Sequence, residues 1–303
     1  MTRHALMKRA LGRAVAAPTL EVLRRTSLRA GLSVYYHRVG DPQGDPRREL
    51  VPQMGTALFA GQVRYAVAHF RLVRASELSD AVAARRPADR FPLAITFDDD
   101  LACHRAVSMA ILEACHARGT FFVSGASLSA PSWFWWEVID AHHPDPHVAA
   151  ERLFAMTHGD RAAATAALVA GAGPPPPSAG MRGDDVAALA RAGHEIGFHT
   201  RGHHALPELD DASLESAMSD GREEIEHWAG GRLSSIAYPH GRADRRVADA
   251  ARRAGFAVGF TSAETAATPD ADPLAIGRLE GPFSSVGHLA FVLARTLLRA
   301  YRS

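Results

Sequence analysis

The sequence predicts an α/β fold built of parallel strands, with the strand ends meeting on one face of a barrel. Three observations carry this. Short apolar runs alternate with longer stretches whose apolar residues recur at three- and four-residue spacing. Glycines stand near the ends of those longer stretches, where helices stop. Aspartates and histidines directly follow several of the apolar runs, and in parallel βα architectures the active site lies at the carboxyl ends of the strands.

Taken in order, "LSVYYHRV" is the first strand and carries His37 near its end. "PLAITFDD" follows and runs into Asp98, Asp99 and Asp100. "HRAVSMAILEACHARG" is helical and leads to the strand "GTFFVSG". "DVAALARAGH" is the helix before the strand "HEIGFHT", which ends at His199. "LESAMSDGREEIEHWAGG" is helical and precedes the strand "SSIAYPHG". "RVADAARRAGF" and the strand "FAVGFTS" complete the series. The rhythm breaks over about residues 125–182, where "PSWFWWEVIDAHHPDPH", an alanine-rich helical stretch and "GAGPPPPSAG" stand. That segment reads as an insertion on the active-site side, with the proline run as a polyproline connector.

The expected organisation is a basic N-terminal segment over 1–30, the barrel over 31–285, and an amphipathic helix over 286–303. With 303 residues, 47% of them hydrophobic, the chain can bury a large core. A net charge of +1 gives no footprint for nucleic acid. Cys103 and Cys115 fall on one helix roughly 18 Å apart, so no disulfide framework is expected. The N-terminal residues lack the apolar core of a secretory signal, and no stretch is long and apolar enough to span a bilayer. A cytoplasmic protein is the expectation.

"HTRGH" spaces His199 and His203 four apart, which on a helical turn sets both imidazoles on one face, a spacing that suits a divalent metal. One aspartate of "FDDD" completes the ligand set and a second is left beside it as a base. Each feature alone has an ordinary alternative: a helix cap for the aspartates, a solvated helix face for the histidines, and a plain turn for "YPHG".

"TFDDD", "HTRGH" and "YPHG", in that order at strand ends, with the flanking "GTFFV", "GHEIGFHT" and "AGF", resemble the motifs of the polysaccharide deacetylases, the NodB-like carbohydrate esterases, over roughly residues 30–280. The resemblance implies a distorted (β/α) barrel with an insertion between the first and second metal-ligand motifs. It makes Asp98 the catalytic base and Asp99, His199 and His203 the ligands of a divalent ion, zinc by expectation. "YYHRV" is similar to a subgroup with an N-terminal strand of that type, which makes His37 the general acid; the alternative for His37 is a hydrogen-bonded core histidine. The turn Tyr238, Pro239, His240 and Gly241 is the expected oxyanion and substrate-binding element, through the backbone N–H of His240.

Two departures from the family stand out. Asp100 replaces the usual glycine, which puts the turn's shape in question, and Ala237 stands where many members carry an arginine that orients the base. Trp133, Trp135 and Trp136 are a candidate sugar platform, or else the insertion's own core. The function implied is a metal-dependent hydrolase that removes an N-acyl group, acetyl by resemblance, from an amino sugar or saccharide, lipid- or nucleotide-linked. The alternative is a catalytically silent carbohydrate-binding or scaffold protein on the same fold. In the C-terminal helix, Leu289, Val292, Leu293 and Leu297 share one face and Arg295, Arg299 and Arg302 another. That pattern suits either packing on the barrel or weak contact with an anionic membrane surface, which would hold the protein at the membrane's inner face.

Overall fold

The computed structural model describes residues 16–41, 49–176 and 179–302. The residues of the basic N-terminal segment before position 16 lie outside this description.

The strands are β1 (Leu32–Tyr36), β2 (Arg71–Leu72), β3 (Pro92–Asp98), β4 (Thr120–Val123), β5 (Glu195–Phe198), β6 (Ser235–Ala237), β7 (Val258–Phe260) and β8 (Leu279–Glu280). They form one parallel sheet in the order β7-β6-β5-β4-β3-β1-β8, with β2 paired to β3. The sheet curls into an incomplete barrel whose seam, between β7 and β8, is bridged at Phe260 and Ile276. All six strands expected from the apolar runs are present. Every residue of β3 is buried, which is why "PLAITF" is a continuous apolar run rather than an alternating one.

Around the sheet lie α1 (Thr56–His69), α2 (Leu78–Ala83) and α3 (Met109–Ala114), the last begun by a π turn at His104–Ser108. The insertion consists of α4 (Trp135–His142), α5 (Pro146–Phe154) and α6 (His158–Gly171). Asp145 caps α5 by accepting from Val148 N, and Thr157 caps α6 by accepting from Asp160 N. Pro174 to Pro176 lie outside helix and strand. Then come α7 (Gly183–Arg191), α8 (Asp211–Ala217), α9 (Arg222–Ala229), α10 (Arg245–Arg253) and α11 (Val286–Arg302).

One expected helix is in fact two. "LESAMSDGREEIEHWAGG" breaks at Gly221, whose φ of 74° lies in the left-handed region, and the Arg201 side chain occupies the space a Cβ there would need.

In α11 the expected apolar stripe faces inward: Leu289, Leu293 and Leu297 are buried, and the helix packs on α1. The stripe is therefore covered by the protein itself, leaving the arginine-bearing face outward. No described helix is long and apolar enough to cross a membrane.

Candidate active site

The three aspartates after β3 have three different partners. Asp98, at the end of the strand, is buried and holds a bidentate pair with Arg278, whose Nη1 and Nη2 donate to the two carboxylate oxygens at 2.7 and 2.8 Å. Burial alone would raise the Asp98 pKa, but the Arg278 charge and hydrogen bond, together with His199 and His37, outweigh it and hold the carboxyl well below the usual range. Its backbone carbonyl accepts from His104 Nε2 at 2.8 Å. The sequence-based expectation that the base lacks an orienting cation is thus overturned. Ala237 leaves the place of the usual arginine empty, and Arg278 reaches the same carboxylate from just before β8, 180 residues along the chain. Arg278 was missed. The signal available was an arginine inside the apolar "AIGRL", a charge that burial makes costly without a partner.

Asp100 also departs from expectation. It is Asp99, not Asp100, that takes the left-handed backbone, with φ of 72°. Asp100 is fully buried and its carboxylate accepts from Ser124 N at 2.6 Å, Ser124 Oγ at 2.9 Å and Ser127 N at 3.2 Å, while its carbonyl accepts from Met181 N at 2.6 Å. Residue 100 therefore ties together the two ends of the insertion. Gly180, with φ of 74°, lets the returning chain pass close against Ser127.

Asp99 remains. Its Oδ1 is buried with no hydrogen-bond partner, and the Nε2 atoms of His199 and His203 lie 3.6 and 3.4 Å from it. One ligand atom from each of the three lies within 4.8 Å of the others. His199 is pushed down to about 4 by burial, and His203 well below its ordinary value by burial and by the neighbouring His199 and His240, so both imidazoles are neutral. Burial, followed by Asp98 and Asp100, pushes Asp99 up. A His199 Nδ1–H donates to Ala237 O at 2.8 Å, which turns the Nε2 lone pair inward. An orphaned buried carboxylate oxygen facing two neutral imidazoles lacks a cation, and this donor set fits a divalent ion.

His199 and His203 do meet, but not on a helical turn. They sit on the loop after β5, where Thr200 and His203 take positive φ of 49° and 45° and His203 N donates to Thr200 O at 3.2 Å. His37 lies at the other oxygen of Asp99, with Nε2 4.0 Å from Oδ2, and burial lowers its pKa.

These groups line a cavity of about 300 Å³ that also includes Trp135, Trp136, His240 and Gly241. Trp133 lines a neighbouring cavity with Trp135 and Trp136. Trp136 is buried and stacks on Phe134, so it serves the insertion's core as well. Of the turn expected to bind substrate, Pro239 is buried, and the fully buried Tyr238 donates its hydroxyl to Leu274 O at 2.8 Å. Tyr238 is therefore a core residue: side chains alternate along the chain here, Ile236 and Tyr238 packing in the main core and Ala237 between them packing with Phe122 and Phe260.

The family model described as polysaccharide deacetylase matches residues 85–259. The chain belongs to that family, whose members deacetylate carbohydrates. Among solved structures, the chain is similar to the deacetylase PplD of Streptococcus pyogenes, at 16% identity and a TM-score of 0.64 over 88% of this chain and 98% of that one. It is similar to IcaB of Ammonifex degensii, at 17% identity and a TM-score of 0.60 over 86% and 97%. A de-N-acetylase of Aggregatibacter actinomycetemcomitans shares 15% identity and a TM-score of 0.59 over 82% and 94%. At these identities the likeness is one of fold. No curated protein matches the chain.

Proposed function

We propose that the protein is a metal-dependent hydrolase that removes an N-acyl group from an amino sugar or a saccharide built of one. The observation that carries this reading is the division among the three aspartates: Asp98 is ionised by Arg278, Asp100 is consumed by serine and backbone donors, and Asp99 faces two neutral imidazoles with a free oxygen. Asp99, His199 and His203 would hold the ion, and one carboxylate with two imidazoles suits zinc. Such an ion supplies Lewis acidity at neutral pH.

The remaining roles fall to side chains of the cavity. Asp98 is ionised at neutral pH and is the base that takes a proton from the attacking water. His37 is the acid that holds a proton toward the departing nitrogen, on the side of Asp99 away from His199 and His203. His240 and Gly241 line the same cavity; the Gly241 N–H donates to Tyr238 O at 2.9 Å, so the backbone N–H of His240 is the candidate oxyanion donor, and losing one such donor costs on the order of 10² to 10³ in rate. The similar folds include the deacetylase PplD and a de-N-acetylase, which supports N-deacylation.

Two observations favour activity over a silent scaffold. Arg278 supplies the cation that Ala237 does not, and Asp100 has a complete set of hydrogen-bond donors, so neither departure from the family disables the site. The test is release of carboxylic acid from N-acylated sugars, free, nucleotide-linked and lipid-linked, by zinc-loaded and chelator-stripped protein. No release from any member of the panel with zinc bound sinks the reading.

A further inference from the structure

We propose that the acyl group this protein removes is a long apolar chain, seated in the cavity beneath the inserted helices. The proposal rests on the hydrolase reading above and names its substrate class.

Three cavities adjoin one another. The central one contains Asp98, Asp99 and His199. On one side it shares Tyr35, His37, Leu50 and Val51 with a cavity of about 100 Å³. On the other it shares Trp135, Trp136, Phe154, His203 and His240 with a cavity of about 510 Å³. The two flanking cavities have no lining residue in common, and they meet the central one at different oxygens of Asp99: the smaller at His37, beside Oδ2, and the larger at His203, beside Oδ1.

The position of the acid assigns the two halves of an amide to these sides. A general acid lies against the atom it protonates, so the amide nitrogen and its sugar lie toward His37. The carbonyl carbon's other substituent, the acyl chain, then points away from His37, past His203 and His240, into the 510 Å³ cavity. An acetyl methyl would fill a small part of that volume, which lies within the range of cavities that enclose whole small molecules.

The walls select for hydrocarbon. Trp133 and Trp135 face Ala162, Ala166, Val169 and Ala170, whose three- and four-residue spacing puts a smooth face of α6 toward the cavity. The two arginines there are committed, Arg161 to Glu208 and Arg201 to Glu224. A sugar's hydroxyls would lose their water without gaining enough partners, whereas methylenes gain from the same burial. Hydrolysis balances simply: water adds across the amide, the C–N bond breaks, the chain leaves as a carboxylic acid and the nitrogen as the sugar's amine.

The experiment compares N-acetyl-, N-butanoyl-, N-octanoyl- and N-decanoylglucosamine as substrates, and separately titrates decanoate while following tryptophan fluorescence, since three of the chain's four tryptophans line this cavity. We expect kcat/KM to rise about three- to fourfold per methylene until the cavity fills, and decanoate to give a saturable signal. Ala166→Trp, or Ala170→Phe should the first variant misfold by circular dichroism, should abolish both the chain-length preference and the decanoate signal. Decanoate binding that is lost in these variants supports the chain site even if no sugar is hydrolysed, in which case the hydrolase reading alone falls. Turnover of N-acetylglucosamine at least as fast as of every longer homologue, with no saturable decanoate signal, overturns the proposal and leaves the hydrolase reading standing; absence of both hydrolysis and binding overturns it as well.

Discussion

Replacing Arg278 tests the link between fold and chemistry most directly. Arg278 is 1% exposed and Asp98 3%, so Arg278→Ala leaves a buried carboxylate without its paired guanidinium. Breaking a buried pair from one side costs about 3–5 kcal/mol, and at roughly 2 °C per kcal/mol for a chain of this size the melting temperature should fall by about 6–10 °C. The chemical consequence has a definite sign. In the intact protein burial raises the Asp98 pKa, and Arg278 with His199 and His37 more than reverses it; without Arg278 only the two histidines oppose burial and the pKa rises. The acidic limb of kcat/KM should therefore move to higher pH, and activity at pH 7 should drop. Arg278→Lys keeps the charge but loses the paired geometry, so it should fall between. Adding Asp98→Asn to Arg278→Met should recover most of the lost stability without recovering activity, because the orphaned charge is gone. The assays are thermal unfolding and pH–rate profiles on the best acylated sugar. A melting temperature within about 2 °C of wild type for Arg278→Ala, with an unmoved acidic limb, would refute the reasoning.

Asp99→Ala and His199→Ala should each lower bound zinc measured by elemental analysis, while Asp98→Asn should retain zinc and lose acid release; undiminished metal in the first two removes the proposed ligand set. His37→Ala should lower turnover by about 10² with metal content intact, and an unchanged rate passes the acid role elsewhere. His194, buried at the far end of the barrel, accepts from Gly119 N at 3.1 Å and is held down to about 4 by burial. A depressed histidine binds its proton more readily unfolded, so its contribution is present above about pH 6.5 and is lost as pH falls toward 4, by at most about 3 kcal/mol; His194→Gln should flatten the stability profile in that window, and an unaltered slope argues against it. Deleting residues 286–303 should destabilise the whole protein, because Leu289, Leu293 and Leu297 cover α1; a truncated protein with wild-type melting temperature would show that the helix is dispensable.

The sequence by itself determined the repeating βα units, because a strand buried on both faces must be apolar along its length and a helix packed on one side must be apolar at every third or fourth position. It also marked the side chains that the fold brings together, since Asp98, Asp99 and His199 directly follow apolar runs and His203 stands four residues beyond His199. What it left open was pairing at a distance. His199 and His203 face one point through left-handed backbone at Thr200 and His203, not through a helical turn, and residue spacing does not distinguish those two geometries. Tyr238 and His240 are two residues apart, yet one fills the core and the other lines the cavity, because the chain leaves the strand after Ala237 and His240 takes left-handed backbone with φ of 58°. Arg278 and Asp98 are 180 residues apart, and only closure of the sheet through β1 and β8 brings them within hydrogen-bond distance. Asp100 looked like a loss of the glycine's freedom until the insertion's two ends were folded against it. Local patterns follow from local sterics and burial, but the partner of a buried charge is fixed by the whole topology, and that only the tertiary structure decided.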